Sequence, residues 1–228
     1  MSADTPDAGA SLTLSQLPLF PLQTVLFPGG WMPLRIFEVR YLDMINRCHK
    51  AGAPFGVVCL SEGSEVRRID PKGPPTGDAF AKEVFFPVGT LASIERLERP
   101  QPGLLVIHCR GLQRFQIESS HKLSHGLWVA DVTRQADDTV VPVPEDLMST
   151  RDALLRLLEN LREREPESLG DLPLQPPYRW DDSGWVANRW IELLPAPSEL
   201  KQRLMMLDNP LLRLELVSDL LDKMGVER

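Results

Sequence analysis

The spacing of apolar residues divides the chain into two parts. Up to about residue 135 the apolar residues come in short runs bounded by Gly and Pro, a pattern typical of strands. The runs are LTLSQLPLF, MPLRI, FGVVCLS, VFFPVGTLASI, LLVIHCRG, RFQIES and LWVADVT. Because closing a sheet removes the edges that promote aggregation, six or seven short strands favour a closed or nearly closed barrel.

One helix is predicted among these strands. From Phe37 to Lys50 the apolar residues recur every three to four positions on one helical face, and Gly52 follows as a stop signal. Residues 62–82 lack periodicity and contain several turn formers, so they predict a long loop. Residues 1–12 are predicted to be a disordered amino-terminal tail.

Helical spacing dominates after VVPVPED. A first helix of about five turns begins at Leu147 and ends at Pro166. Three more helices are predicted: SGWVANRWIELL capped by Ser183 and stopped by Pro195, one capped by Ser198 through Leu207, and one from Asn209 and Pro210 through Met224. The sequence therefore predicts an α+β fold, with a barrel over residues 13–135 and a helical bundle over residues 146–225, packed together as one body.

Net charge narrows the classes of partner. The chain has 228 residues, with 25 Lys and Arg against 32 Asp and Glu, which gives a net charge of −7. Nucleic-acid binding takes its affinity from clustered Lys and Arg, and none cluster here. No nucleic-acid partner is expected.

The cysteines and the amino terminus favour a cytoplasmic protein. Cys48, Cys59 and Cys109 are widely spaced and odd in number, which predicts reduced core thiols rather than disulfides or a zinc site. The first residues carry Asp where a secretory leader carries positive charge. Residues 17–37 come nearest to the length of a membrane span, but their prolines, a Gly pair and Arg35 would interrupt a lipid-exposed helix, so no membrane partner is expected.

The sequence lacks the common catalytic motifs. The sequence has no phosphate-binding Gly-Lys-Ser/Thr loop, no Gly-x-Gly-x-x-Gly, no His-Glu-x-x-His and no Gly-x-Ser-x-Gly. His121 and His125 lie in a stretch predicted to be an exposed loop, and the adjacent Cys48 and His49 would not face each other on a helix. No catalytic residue, metal site or cofactor is assigned, and the chain is predicted not to be an enzyme.

Aromatic residues are concentrated in one stretch of the carboxy-terminal part. Trp180, Trp185 and Trp190 follow Tyr178, and Arg189 lies four residues after Trp185, so its guanidinium can lie over the indole. Such aromatics usually fill the contact between two parts of a protein. The alternative is an aromatic-lined groove for a peptide, because Trp and Arg are enriched where proteins bind one another.

Residues 17–45, LPLFPLQTVLFPGGWMPLRIFEVRYLDMI, resemble the opening of the Lon protease substrate-binding (amino-terminal) domain, with its LPLFPL, VLFPG, PLRIFE and RY motifs. Later segments resemble that family in the same order, so the resemblance covers nearly everything after about residue 12. These segments are FGVV, VGTLASIERLE, GLLVIHCRGLQRFQI, LWVADV, VANRWIELLP and LKQRLMMLDNPLLRLELVSDLL.

The Lon resemblance implies a PUA-like β-barrel followed by a helical bundle, and a role in holding protein substrates or partners. Because the sequence contains neither the ATPase nor the Ser-Lys protease motifs of full-length Lon, it looks like a free-standing member. Candidate binding residues are sought on PGGWMPLR, on the following helix and on the aromatic stretch. They are Trp31, Met32, Arg35, Tyr41, Trp185 and Arg189.

Three functions follow from the sequence. The leading hypothesis is a non-enzymatic module that binds an unfolded segment or a protein partner in an apolar groove where the Trp31 turn meets the Trp185 helix. The second is a hydrolase with distant carboxylates, such as Glu38 with Asp131. The third is RNA binding by a PUA-like barrel, which the net charge disfavours. The sequence leaves the oligomeric state open.

Overall fold

The computed structural model describes residues 12–63, 65, 82–164, 170 and 172–226. The predicted tail lies outside these residues except for Leu12, as does most of the predicted loop over residues 62–82. The described elements are β1 (Thr13–Leu22), β2 (Trp31–Ile36), α1 (Val39–Ala51), β3 (Phe55–Glu62), β4 (Val84–Phe85), β5 (Val88–Gln101), β6 (Leu104–Lys122), β7 (Trp128–Arg134), α2 (Met148–Arg164), α3 (Ser183–Leu193), α4 (Ser198–Met205) and α5 (Pro210–Lys223), with a 3-10 turn at Glu145–Leu147.

β1 closes the sheet into a barrel. It pairs antiparallel with β7 and parallel with β3, and the order between those two neighbours runs through β6 and β5. The remaining pairs around the ring are antiparallel. The predicted α+β fold, with a closed barrel followed by helices, is confirmed.

β6 is one long strand rather than the two short ones predicted. It covers 19 residues and joins LLVIHCRG to RFQIES, because β5 pairs with it on both sides of Gly111. Its first half also pairs with β2 and its second half with β7. The sequence alone treats Gly111 as a boundary, whereas the pairing partners carry the strand through it.

β2 lies at an edge of the sheet. Within the described residues it pairs with β6 alone, from Trp31 opposite Arg110 to Ile36 opposite Leu105. Pro33 lies in the middle of β2 and has no N–H to donate, which is tolerated on an edge strand. On its other edge β2 has no strand partner among the described residues.

α1 packs its apolar face against the barrel. Tyr41, Met44, Ile45 and Cys48 are buried among strand residues, as the periodicity predicts. The predicted position of Phe37 on the apolar face of this helix is wrong. Glu38 is the extended residue before the helix, so Phe37 precedes the helix. Its side chain is exposed.

The four later helices are present, with corrections at two caps. Asp182 rather than Ser183 caps α3, because its carboxylate accepts from the N–H groups of Gly184 and Trp185 at 3.0 and 3.4 Å. Ser198 does not cap α4, which follows Pro197 and ends at Met205. Asn209 caps α5 as predicted, and Pro210 is its first residue. The predicted stop at Pro166 lies outside the described residues.

The helices share a core with one side of the barrel. Val25, Phe27, Cys59 and Val88 from the strand region are buried in the same cluster as side chains of α2 to α5. Gln202 of α4 donates to the Val88 carbonyl at 2.9 Å. These contacts are consistent with tight packing, and the division into a barrel domain over residues 13–135 and a bundle domain over residues 146–225 stays a prediction.

Candidate functional site

The junction between β2 and α1 carries exposed apolar side chains. Phe37 is 58% exposed and Val39 is 73% exposed. A cavity of about 160 Å³ lies next to Phe37, which forms one of its walls. The other walls come mainly from Phe20, Leu22, Pro33, Leu34, Arg35 and Tyr41. We call Phe37, Val39 and this small cavity the β2–α1 surface, and neighbouring apolar groups of this kind are typical of interaction sites.

Aromatic packing fixes the floor of the β2–α1 surface. The Tyr41 ring is buried and stacks on Phe20, with 4.2 Å between ring centroids and 17° between planes. The Arg40 guanidinium lies 4.5 Å from the centroid of Tyr41 and bonds to Glu38 at 3.2 Å. Glu38 therefore pairs with Arg40 and not with Arg35, whose side chain is exposed at the edge of the cavity. Stacked aromatic rings therefore form the floor, and the exposed Arg35 side chain lies at its edge.

Trp31 and Met32 lie in β2 rather than in the turn before it. The Trp31 indole N–H donates to the Gly170 carbonyl at 2.9 Å, and its ring stacks on His108 with 5.5 Å between centroids. Met32 is half-buried and packs against the cluster that contains α1. Neither lines the small cavity, whose β2 residues begin at Pro33.

The turn before β2 is fixed against α3. Gly29 has a left-handed backbone, with φ of +73°, and Arg189 donates to the Pro28 carbonyl at 3.1 Å. A side chain at Gly30 would place its Cβ 2.1 Å from a carboxylate oxygen of Glu192, so only glycine permits this approach. The Gly30 N–H donates to the Phe27 carbonyl at 2.9 Å and closes a tight turn, in which contact with α3 requires glycine at Gly30.

Arg189 and Glu192 form a buried ion pair under that turn. Arg189 Nε donates to Glu192 Oε2 at 2.7 Å, and the backbone N–H of Phe27 donates to Glu192 Oε1 at 3.3 Å. Burial raises the pKa of Glu192 to about 7 against the opposing effect of Arg189. Burial likewise lowers the pKa of Arg189. The pair joins α3 to the strand region.

Trp185 and Arg189 meet as the four-residue spacing predicts. The Arg189 guanidinium lies 5.8 Å from the Trp185 ring centroid, but both side chains are buried. Trp185 also packs edge-on against Trp180 and Tyr178, at 5.0 and 6.2 Å between centroids. Trp190 is buried and donates to the Thr150 carbonyl at 2.9 Å. This arrangement agrees with aromatics that fill the core.

A second, larger cavity lies beside Trp185. It has a volume of about 430 Å³ and lies between β6, the segment after β7, and α3. Its walls include Gly29, Arg110, Leu112, Val140 and Trp185. The six predicted binding residues are thus not in one groove: Arg35 and Tyr41 line the small cavity, Trp185 lines the large one, and the other three line neither. Their role in binding stays a prediction.

The remaining side chains offer little catalytic chemistry. All three cysteines are free and buried, and burial raises the pKa of Cys48, of Cys59 to about 11 and of Cys109 to about 12, which makes them poor nucleophiles. His121 is the second-last residue of β6 and not in a loop as expected, although it is exposed. In the described part of the chain no three His, Cys, Asp or Glu side chains are close enough to hold a metal ion.

Comparison with known proteins decides the family. The family model for the ATP-dependent protease La (LON) substrate-binding domain matches residues 16–223. The chain belongs to this family. The described helices of this Lon-family chain include none that is long and apolar enough to cross a membrane.

Solved Lon structures share the fold of the chain. A crystal structure of a Lon N-terminal domain protein from Xanthomonas campestris matches with a TM-score of 0.67 and 29% identity, covering 90% of this chain and 98% of that one. The N-terminal domain of the Mycobacterium avium complex Lon protease matches with a TM-score of 0.54 and 17% identity, covering 90% and 96%, and shows the fold alone.

A curated relative matches over a shorter stretch. The Lon protease of Flavobacterium johnsoniae is 31% identical over 104 residues, which is 45% of this chain and 11% of that protein. The resemblance of the motifs to the Lon substrate-binding domain is therefore confirmed.

The sequence does not predict the positions of some residues at these sites. Phe37 and Val39 read as ordinary positions at a helix start, and only the extended backbone at Glu38 directs them outward. Glu192 reads as a polar residue on an amphipathic helix, yet its carboxylate is buried against residues 165 positions earlier. The VLFPGG motif is the one sequence signal of this contact, because two adjacent glycines indicate a close approach by another part of the chain.

Proposed function

We propose that this protein binds polypeptide segments through the β2–α1 surface, without chemical change to them. The observation that carries the proposal is the exposure of Phe37 and Val39 beside a cavity whose walls are mostly apolar, with Arg35, Glu38 and Glu65 as its charged residues. Membership of the Lon substrate-binding domain family supports the same class of ligand. Arg35 at the edge supplies a polar group that can bond to a backbone carbonyl of the bound segment.

The size of the surface sets the expected affinity. Burying one large apolar side chain contributes about 1.5–3 kcal/mol before the losses of association are counted. Two exposed side chains and one small cavity therefore give weak binding with broad sequence tolerance. Such binding suits unfolded segments, which present apolar side chains in many contexts.

The hydrolase alternative draws no support from the carboxylates that the sequence offered. Glu38 bonds to Arg40 at 3.2 Å, while Asp131 accepts from the Gln16 N–H at 2.9 Å and the Ser119 hydroxyl at 3.2 Å. Each carboxylate is thus engaged in its own structural contact. The proposal includes no ATP hydrolysis and no proteolysis, and it places the protein in the cytoplasm, which three unpaired thiols support.

The test compares two pairs of exposed apolar side chains on different parts of the molecule. We expect Phe37→Ser with Val39→Ser to weaken binding of a fluorescently labelled, permanently unfolded model protein at least tenfold, measured by anisotropy. The control is Leu212→Ser with Leu216→Ser, since these leucines of α5 are 41% and 40% exposed. The control variant should bind as the unsubstituted protein does.

Thermal unfolding of both variants separates binding from stability. Because all four side chains are on the exposed surface and none belongs to the buried core, the midpoints should stay close to that of the unsubstituted protein. Equal loss of binding in both variants would show that any apolar surface suffices. Unchanged binding in the Phe37 and Val39 variant would contradict the proposal.

A further inference from the structure

The free edge of β2 carries backbone groups that can pair with another strand. Where β2 approaches β6, the backbone N–H of Gly111 donates to the Gly30 carbonyl at 2.9 Å, so position 30 turns its carbonyl towards β6. Successive residues of an antiparallel strand alternate in this respect. Pro33 and Arg35 therefore direct their backbone groups away from β6, to the edge that has no strand partner among the described residues.

Pro33 agrees with this alternation. Proline has no N–H, so a proline bonded to β6 would leave the opposite carbonyl, that of His108, without its donor. The free edge thus offers three groups side by side, which are the carbonyls of Pro33 and Arg35 and the N–H of Arg35. In the described part of the chain none of the three forms a backbone hydrogen bond with a turn or a loop.

Solvent reaches this part of the edge. Pro33 and Arg35 are both exposed residues, and both line the small cavity of the β2–α1 surface. Leu34 and Ile36 lie on the opposite face of the strand, where they belong to the same apolar cluster as Tyr41 and border the same cavity. The edge therefore has an apolar side towards the cavity and an outer side towards solvent.

The outer side of the edge carries an unpaired positive charge. In the described part of the chain the Arg35 guanidinium has no ion-pair partner. The two carboxylates at the cavity are already engaged, since Glu38 pairs with Arg40 and Glu65 accepts from the backbone N–H of Gln23. An acidic side chain on a strand beside β2 would lie next to Arg35 and complement its charge.

We propose that an extended polypeptide segment binds the free edge of β2 as an added strand, with apolar side chains towards the cavity and an acidic side chain beside Arg35. The proposal rests on the proposed function, since it states how the same segment is held. In either strand direction, two N–H groups of the segment, two residues apart, donate to the Pro33 and Arg35 carbonyls. A second copy of β2 fits less well, because it has the same proline without a donor and the same positive charge.

Three forms of one labelled peptide test the proposal by fluorescence anisotropy. The peptide is acetyl-Glu-Leu-Glu-Leu-Glu-Leu amide, and two forms carry N-methyl groups on the backbone of either all Glu or all Leu residues. We expect one methylated form to bind at least tenfold more weakly and the other to bind as the parent does. Loss on methylation of Glu assigns an antiparallel segment, and loss on methylation of Leu assigns a parallel one.

Two outcomes would overturn strand addition. They are equal binding of the two methylated forms and no binding of the parent peptide. The variant with Phe37→Ser and Val39→Ser, tested with the unfolded model protein, then decides separately whether the β2–α1 surface binds polypeptide. The failure of the one proposal is thereby distinguished from the failure of the other.

Two substitutions of Arg35 locate the added strand. Arg35→Gln keeps the N–H donor and removes the charge, so it should weaken binding of the Glu peptide about threefold and leave a peptide with Gln in place of Glu unchanged. Arg35→Pro also removes the donor and should weaken both peptides about tenfold. The control Arg203→Gln, at an exposed arginine of α4, should change neither. Unchanged binding of both peptides by Arg35→Pro contradicts the site, and if that variant fails to fold, the methylated peptides decide.

Discussion

Where α3 meets the strand region, Arg189 and Glu192 are buried together, whereas at the β2–α1 surface Phe37 and Val39 are exposed to solvent. A buried charge is tolerated only when its partners are in place, so the first region specifies structure. Covering an exposed apolar side chain with another molecule lowers the free energy of the system, so the second region is available for binding. The comparison predicts that substitutions in the first region change stability and those in the second change binding.

The largest effect is expected from Arg189→Leu. This substitution leaves the Glu192 carboxylate buried without its cation, which should lower the free energy of unfolding by about 3–5 kcal/mol. Urea denaturation followed by tryptophan fluorescence measures the change. As a control, Arg203→Leu breaks an exposed pair with Glu199 on α4 and should change it by less than about 1 kcal/mol. Equal effects of the two substitutions would show that burial of the pair does not matter.

A smaller effect concerns the pH dependence of stability. Because the pKa of Glu192 is raised to about 7 in the folded protein, its contribution to stability is fully present below about pH 4.5 and is lost as the pH rises to about 7. The difference in unfolding free energy between the unsubstituted protein and Glu192→Gln should fall by up to about 3 kcal/mol over this range. A difference that is constant with pH would mean that Glu192 keeps an ordinary pKa.

A substitution at Trp31, in β2, tests where the structural region ends and the binding surface begins. Its expected effect on the free energy of unfolding is smaller. Trp31→Ser removes the stack on His108 and the hydrogen bond to Gly170, which should lower the free energy of unfolding by about 1–2 kcal/mol. Binding of an unfolded protein should be unchanged in this variant, measured by anisotropy at a temperature where it stays folded. A loss of binding without a loss of stability would extend the binding surface along β2.

The fold was accessible from the sequence because its signals are local. Runs bounded by Gly and Pro gave the strands, the three-to-four spacing gave the helices, and Asn209 with Pro210 marked the start of α5. Errors arose where the outcome depends on distant partners. β6 continues through Gly111 because β5 pairs on both sides of it.

The candidate sites were only partly accessible for the same reason. The sequence indicates Arg35 and Tyr41, which line the small cavity, whereas its periodicity places Phe37 on the buried face of a helix that begins two residues later. Trp31 and Trp185 were expected to meet in one groove, yet each is held by its own neighbours. The pairing of Glu192 with the Phe27 backbone joins positions 165 residues apart, and no local pattern reports such a contact.

The most direct test of the account is a photo-crosslinking measurement on the folded protein. A benzophenone amino acid is placed at position 37 in one preparation and at position 212 in another, since Phe37 and Leu212 are both exposed on different parts of the molecule. On irradiation with a permanently unfolded model protein, the account predicts abundant adducts from position 37, suppressed by excess unlabelled protein, and few from position 212. Equal adducts from both positions, or none from position 37, would contradict it.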